Sequence, residues 1–239
     1  MAFNYPDVHL HTFIEAGSKD VLESVLQRVY AWMSLGLLIT AGVAAFVSAS
    51  PLFKVMTGQP LIFFGLLIAE VALVIGISRG IKHVSPTIAI SLFLFYAALN
   101  GLTFSVLFVV YTLGSVAYAF LASAVLFGMM SVIGYTTRLN LAKMNTFLLM
   151  GVLGLAVAML VNLFWANSTL GWIVTFAGIL LFLGLTVFDT QRIRRMTATA
   201  LQRGDDDIES KLGIVGALSL YLDFVNLFLF LLRLSGRRR

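Results

Sequence analysis

Three carboxylic acids interrupt long apolar stretches of this sequence and are its first candidates for chemistry. Glu70 lies in IAEVALV, Asp189 in LTVFDTQR and Asp223 in LSLYLDFVNLF. An ionisable group inside a bilayer is costly unless it is paired, neutralised or exposed to water, so such groups mark sites that bind protons or ions. The elements that carry these acids must therefore be identified before their chemistry is assigned.

The apolar stretches are long enough to cross a membrane. The chain has 60% hydrophobic and 11% charged residues, whereas a soluble domain has about 25% charged residues. A bilayer core of about 30 Å needs about 20 apolar residues in helical form. Runs of this kind are predicted at 29–49, 61–79, 88–111, 116–136, 146–166, 170–188 and 213–234. The sequence therefore predicts an all-α membrane protein, a bundle of seven transmembrane helices.

The remaining residues are too few for a second folded domain. We expect an N-terminal segment at 1–27, a transmembrane domain at 28–236 and a basic tail at 237–239. Apolar residues at helical spacing in 21–29 indicate either an amphipathic helix on the membrane surface or an extension of the first span. Small residues four apart predict close helix contacts. These pairs are Ala97 and Gly101, Ala124 and Gly128, and Gly154 and Ala158.

The distribution of basic residues predicts the orientation of the chain. If the N terminus is cytoplasmic, the cytoplasmic side of the chain carries eleven Lys and Arg residues next to the spans, and the opposite loops carry only Lys54. This asymmetry favours a cytoplasmic N terminus, and it accounts for the basic net charge without nucleic acid. Seven full spans would place the basic tail at 237–239 outside, which opposes this asymmetry. The last run is therefore either a full span with a tolerated basic tail or a re-entrant segment.

Asp189 and Asp223 could meet in the cytoplasm-facing half of the bundle, because the sixth run descends to the cytoplasm and the seventh rises from it. Ser219, Asp223 and Asn226 share one stripe of the seventh helix. Two close carboxylates cannot both ionise cheaply, so the pair is predicted to share a proton, sense pH and line an ion path, with Glu70 as a supporting acid. The alternative is a protonated Asp223 that only joins two helices.

The pair offers too few ligands to hold a metal cation tightly. A cation such as calcium usually takes about six to eight oxygen ligands, so two aspartates with Ser219 and Asn226 fit a transient, water-assisted cation site. Lys and Arg are absent from the middle of every run. Arg79 and Arg233 lie at span ends, where long side chains reach the headgroups. Either Arg79 or Lys82 could bridge to Asp189 as a latch.

No enzymatic motif of this sequence lies in a suitable structural context, so we expect neither an enzyme nor a resident cofactor. Cys is absent, which excludes thiolate chemistry, and no GxSxG, HExxH, Walker or GxGxxG motif occurs in the context that it needs. Intramembrane aspartyl proteases also place one Asp on each of their sixth and seventh spans. However, residues 220–222 read LYL where those proteases have GxG before the second Asp, and no PAL tripeptide follows.

Several segments together resemble the Bax inhibitor-1 family, over about residues 25–239 and most closely its bacterial members. They are VYAWMSLGLLIT, NGLTFSVLFVVYT, GYTTRLNL, TVFDTQRIRR and VGALSLYLDFVNLFLFLLRL. The resemblance implies a bundle with the last helix central and six helices around it, in the bacterial inner membrane. It also implies a calcium leak regulated by pH through an aspartate pair, which corresponds to Asp189 and Asp223.

Two further features of the family bear on this chain. Family members have a basic residue after the second span that latches to the first aspartate, and often an acid within that span, which Glu70 matches. Arg79 and Lys82 flank the register expected for the basic residue. Some bacterial relatives bind and restrain a membrane-anchored AAA protease, a role that requires no ion path. The lipid bilayer, calcium ions, protons and such a protease are therefore the expected partners.

Overall fold

The computed structural model describes residues 7–80, 84–137, 141–201 and 208–237. Within these ranges the chain is helical almost throughout, and a short 3₁₀ turn at Leu141–Met144 precedes α6. The helices are α1 (Asp7–Ser48), α2 (Pro51–Gly58), α3 (Pro60–Gly80), α4 (Pro86–Val110), α5 (Leu113–Thr136), α6 (Asn145–Trp165), α7 (Ser168–Leu201) and α8 (Ile208–Ser235).

Seven of these helices, all except α2, are long and apolar enough to cross a membrane, which confirms the predicted number of spans. Two details differ from the prediction. The stretch between the first two predicted runs contains the short helix α2, which starts at Pro51, where the fixed φ of proline favours a helix start. The sixth span was predicted to end at 188, but α7 continues to Leu201.

Helix α8 forms the core of the bundle, as the resemblance implied. In its most apolar window 67% of the residues are buried, against 39% for α7 and 6% for α6. Helices α1, α4, α5 and α7 pack directly against α8, whereas α3 packs mainly on α4 and α6 on α7. Four helices therefore surround α8 directly, and α3 and α6 lie at the periphery of the bundle.

Two sides of the bundle follow from the connectivity. We call the side with the α3–α4, α5–α6 and α7–α8 connections the basic side, and the side with the α4–α5 and α6–α7 connections the far side. Near the start of α8, Gly216 packs against Val29. Just past its end, the backbone N–H of Arg237 donates to Ser115 Oγ at 2.9 Å, at the α4–α5 connection. Helix α8 thus crosses the whole bundle, and the re-entrant alternative is wrong.

Helix α1 runs without interruption from Asp7 into the membrane-spanning region. Val25 and Leu26 are buried in the core of the bundle. Of the two interpretations of the N-terminal region, the helical extension of the first span is therefore the one observed. A surface helix would have kept these side chains at the membrane interface.

Of the glycines in the three predicted pairs, only Gly101 lies in a close helix contact. A Cβ on Gly101 would lie 2.8 Å from the carbonyl oxygen of Thr40, so this glycine lets α1 and α4 approach closely. Nothing lies within 4 Å of the corresponding position on Gly128 or Gly154. A Cβ on Gly134 would lie 2.6 Å from the carbonyl oxygen of Val187, so this glycine lets α5 and α7 approach closely.

Candidate functional site: a buried aspartate pair

The structure brings Asp189 and Asp223 together between α7 and α8. Two contacts set the register of these helices: Ile193 packs on Gly216, and the ring of Phe230 covers Gly178. The aspartates lie between these contacts on facing helices, and the charge of Asp189 acts on Asp223. The two carboxyl groups therefore form an interacting pair inside the transmembrane region.

The two aspartates have different surroundings. The side chain of Asp189 is 13% exposed, and its Oδ1 lies 3.9 Å from Nη1 of Arg192, one turn further along α7. Asp223 is 4% exposed, and its Oδ2 has no hydrogen-bond partner among the described residues. Asp189 thus has a half-exposed cation beside it, and Asp223 keeps an unsatisfied oxygen in the core.

Two hydroxyl groups on the neighbouring turns are also buried without a hydrogen-bond partner in the part of the chain that the structure describes. They are Thr190 Oγ1 on α7 and Ser131 Oγ on α5. Gly134, one turn from Ser131, packs directly on Thr190. Buried polar groups are normally satisfied, so unpartnered oxygens on three adjoining helices indicate a place for a proton, a water molecule or a cation. Sequence reasoning missed Thr190 and Ser131.

The predicted supporting residues of α8 make no hydrogen bond to the pair among the described residues. The Asn226 amide donates to the carbonyl oxygen of Leu222 in its own helix at 2.8 Å. Ser219 is half-buried, and within the described ranges it makes no hydrogen bond to either aspartate. The shared stripe on α8 therefore gives no hydrogen bond to the pair among the described residues, and ligation of an ion by these side chains stays a prediction.

Glu70 belongs to a different polar cluster. It is 8% exposed and accepts a hydrogen bond from the Thr103 hydroxyl across the α3–α4 contact. Its charge acts on Tyr221, whose hydroxyl lies 2.7 Å from that of Thr40. Residues 221 and 223 are about 200° apart around a helix. Glu70 and the aspartate pair consequently lie on opposite sides of α8.

The predicted latch falls outside the described residues, since these exclude the side chain of Arg79 and all of Lys82. The observed contacts of α7 hold the connection between α5 and α6 instead. Gln191 Oε1 accepts from the backbone N–H of Leu141 at 3.1 Å, and Arg194 donates to the carbonyl oxygen of Tyr135 at 2.7 Å. The guanidinium of Arg194 also lies 5.5 Å from the centre of the Tyr135 ring. The residues that follow Asp189 thereby hold both ends of the α5–α6 connection.

Few oxygen donors surround the aspartate pair in the described residues. Among the described residues no group of three or more His, Cys, Asp or Glu side chains comes together. Two carboxylates with the hydroxyls of Thr190 and Ser131 supply fewer oxygens than the roughly six to eight that calcium takes. Water would complete the coordination of any ion at this position.

The fold and the buried pair define a class of protein: a seven-helix membrane protein with two interacting aspartates against a central last helix. A family model described as "Inhibitor of apoptosis-promoting Bax1" matches residues 22–239. The chain belongs to this family, the Bax inhibitor-1 family, and the resemblance of its segments to that family is confirmed.

Bacterial relatives match nearly the whole chain. The inner membrane protein YbhL of Escherichia coli is 42% identical over 219 residues, which is 91% of this chain and 93% of the relative. An uncharacterized protein of Borreliella burgdorferi is 40% identical over 215 residues, 90% of this chain and 92% of the relative. An uncharacterized membrane protein of Streptococcus pyogenes is 36% identical over 224 residues, 90% of this chain and 93% of the relative.

Proposed function

We propose that this protein is a pH-sensitive cation leak of the bacterial inner membrane, with calcium as its cargo and the Asp189–Asp223 pair as its gate. The observation that carries the proposal is the unpartnered oxygen of Asp223, buried beside a second carboxyl group. A pair that served only to join two helices would have its oxygens satisfied. The protein acts without enzymatic turnover and without a resident cofactor.

The protonation state of the pair sets the state of the gate. With one proton shared, the two carboxyl groups hold α7 and α8 together, and Arg192 beside Asp189 places the remaining negative charge there. When this proton leaves, two like charges repel, loosen the contact and attract a cation. A fully protonated pair attracts no cation. The flux is therefore expected to rise with pH over the range in which the shared proton is lost.

Reconstitution tests the proposal directly. The purified protein in liposomes that contain a calcium indicator should give calcium entry above that of protein-free liposomes, and the rate should increase as pH is raised. Entry equal to that of protein-free liposomes at every pH would exclude the leak. A flux that fell as pH rose would overturn the gating scheme.

Arg192→Ala is expected to shift the curve of flux against pH to higher pH, because the ionised pair loses its neighbouring cation. A half-exposed ion pair contributes about 0.2–1 kcal/mol, and about 1.36 kcal/mol corresponds to one pH unit, so the shift should be below about one unit. Arg192→Lys is the matched control, and its curve of flux against pH should stay close to that of the wild-type protein. An unchanged curve in Arg192→Ala would show that this arginine does not contribute to gating.

The sequence-predicted latch is tested in the same assay with Arg79→Ala and Lys82→Ala. Loss of a latch to Asp189 should increase the leak at neutral pH, because a charge-assisted bond holds the closed state. Wild-type flux in both variants would exclude a latch at these positions.

The proposal includes a cytoplasmic N terminus, which places the basic side of the bundle in the cytoplasm. Single cysteines are informative because the chain has none of its own. Met144→Cys and Ala198→Cys should react only with a reagent that reaches the cytoplasm, and Gln59→Cys and Gly114→Cys should react from outside. External labelling of Ala198→Cys in intact cells would reverse the orientation.

A second candidate function is that of a membrane-embedded regulator, which binds a partner such as a membrane-anchored AAA protease and conducts no ions. A groove between α1 and α5, with the buried Phe224 of α8 at its bottom, favours it. Two cavities of about 640 and 700 Å³ share Leu37, Phe120 and Phe224 along this groove. Absence of flux together with retained partner binding would make this account the leading one.

A further inference from the structure

The turn of α7 that carries Asp189 is held from two opposite sides. On one side Asp189 interacts with Asp223 of α8. Gln191 lies two residues further on, about 200° around the helix, and it bonds to the α5–α6 connection. Movement of α7 away from α8 at this level therefore runs towards that connection.

The side-chain amide of Gln191 joins α7 to both ends of the connection. The residue is 5% exposed. Its Oε1 accepts from the backbone N–H of Leu141 at 3.1 Å, and its Nε2 donates to the carbonyl oxygen of Thr137 at 3.4 Å. Arg195, one turn further along α7, donates to the same Oε1. The orientation of the amide is thus fixed by its own helix while it holds the connection.

Contacts with the last turn of α5 reinforce this attachment. Arg194 donates to the carbonyl oxygen of Tyr135 at 2.7 Å, and Gly134 packs on Thr190. Arg194 is exposed, so water can replace its hydrogen bond when the contact breaks. Gln191 is buried, and a buried polar group that loses its partner costs more free energy than an exposed one. We therefore expect Gln191 to carry most of the attachment.

The outer side of α7 has space into which this turn can move. A cavity of about 310 Å³ lies between α7 and Asn145 at the start of α6, and Gln191 and Phe188 line it. Helix α6 is peripheral and packs mainly on α7, so the core of the bundle does not block the motion. The hydrogen bonds to the connection oppose it.

The charges near the aspartate pair do not supply this restraint. The charged groups that act on the two carboxyl groups are the carboxyl groups themselves and Arg192. Arg194 and Arg195 are bound to Tyr135 and Gln191. In the described ranges α1, α5 and α8 add no further charged group that acts on the pair.

We propose that Gln191 is a positioning residue of the gate, whose bonds to the α5–α6 connection hold α7 in its closed contact with α8. The gate opens when α7 moves outward and these bonds are lost. This inference rests on the proposed leak, in which the aspartate pair is the gate. Gln191 acts on the pair through the position of α7 and is not itself a ligand of the ion.

Gln191→Leu removes the hydrogen bonds and keeps the size of the side chain. Calcium entry into liposomes at neutral pH should rise about tenfold, because loss of two hydrogen bonds favours the open state. Half-maximal flux should move to lower pH, opposite to the shift in Arg192→Ala. Gln191→Glu can still accept from Leu141 and Arg195 and should stay close to wild type. Thr197→Val is the matched control, since Thr197 is buried on α7 and its hydroxyl bonds within that helix.

A probe on the connection separates this inference from the leak. Met144 is 41% exposed, and a spin label on Met144→Cys should become more mobile in Gln191→Leu but not in Thr197→Val. Wild-type flux in Gln191→Leu, an equal rise in Thr197→Val or in Gln191→Glu, or an unchanged label mobility would overturn the role of Gln191 and leave the leak standing. Absence of flux from the wild-type protein would instead overturn the leak itself, whatever the label shows.

Discussion

Asp223→Asn is expected to remove most of the pH dependence of the calcium flux and to lower the flux at alkaline pH on the order of tenfold. An amide keeps the size and polarity of the side chain but cannot lose a proton, so the second negative charge never forms. Asp189→Asn should act in the same way, because it removes the carboxyl group whose charge acts on Asp223. Flux in liposomes over a range of pH is the measurement.

A double-mutant cycle distinguishes a coupled pair from two independent groups. Asp189→Asn combined with Asp223→Asn should add little beyond either single change, because each one already abolishes the interaction. Additive effects would show that the aspartates act separately. Wild-type pH profiles in both single variants would leave the pair with a structural role alone, and the partner-binding regulator would then replace the leak.

Thermal stability in detergent gives a readout of the pair that does not depend on conduction. Ionisation of both carboxyl groups adds repulsion and an uncompensated charge in the folded state, so the wild-type protein should lose stability as pH rises. Asp223→Asn lacks this charge and should lose less. Identical pH dependence of the melting temperature in the two proteins would contradict the assignment of Asp223 to a titrating pair.

Gly134→Val is expected to lower the free energy of unfolding by about 1–3 kcal/mol or more, because overpacking at a helix contact cannot relax without moving a backbone. A Cβ there would lie 2.6 Å from the carbonyl oxygen of Val187 and 2.9 Å from Cβ of Thr190. The added side chain therefore pushes α5 away from α7 beside the aspartate pair. Heating in detergent followed by size-exclusion chromatography measures the remaining folded fraction.

Gly128→Ala is the matched control, on the same helix and with nothing within 4 Å of the new Cβ. It should be neutral or slightly stabilising, because alanine favours a helix more than glycine does. Gly134→Ala is a smaller step that should still fold, and a change in its flux–pH curve would link the α5–α7 contact to the gate. Equal melting temperatures for Gly134→Val and Gly128→Ala would exclude a close contact at Gly134.

The spans and the aspartate pair were predictable because both depend on strong one-dimensional signals. A helix that crosses a bilayer needs a long apolar run, and an acid within such a run is rare enough to be noticed. The extension of α7 to Leu201 was missed because the helix there continues beyond the apolar residues. Helix α2 was missed because a run of eight residues is too short to stand out.

The surroundings of the pair were less predictable. Thr190 and Ser131 contribute buried oxygens, but hydroxyl side chains are common in membrane helices and usually bond to the carbonyl of their own helix. In this structure the two hydroxyls have no partner among the described residues, which the sequence pattern does not indicate. Arg192 could have been found, since a spacing of three residues places it on the same face as Asp189. The predicted latch residues, Arg79 and Lys82, follow the second span instead.

The central position of α8 has a consequence for how the protein is made. A ribosome delivers the spans in order, and the helix against which α1, α4, α5 and α7 all pack is the last of the seven to enter the membrane. The earlier spans can insert one by one, but their inward faces have no final partner until α8 arrives. Assembly therefore follows the synthesis of all seven spans, and a chain interrupted before α8 would present those inward faces to lipid and to the quality-control proteases of the membrane.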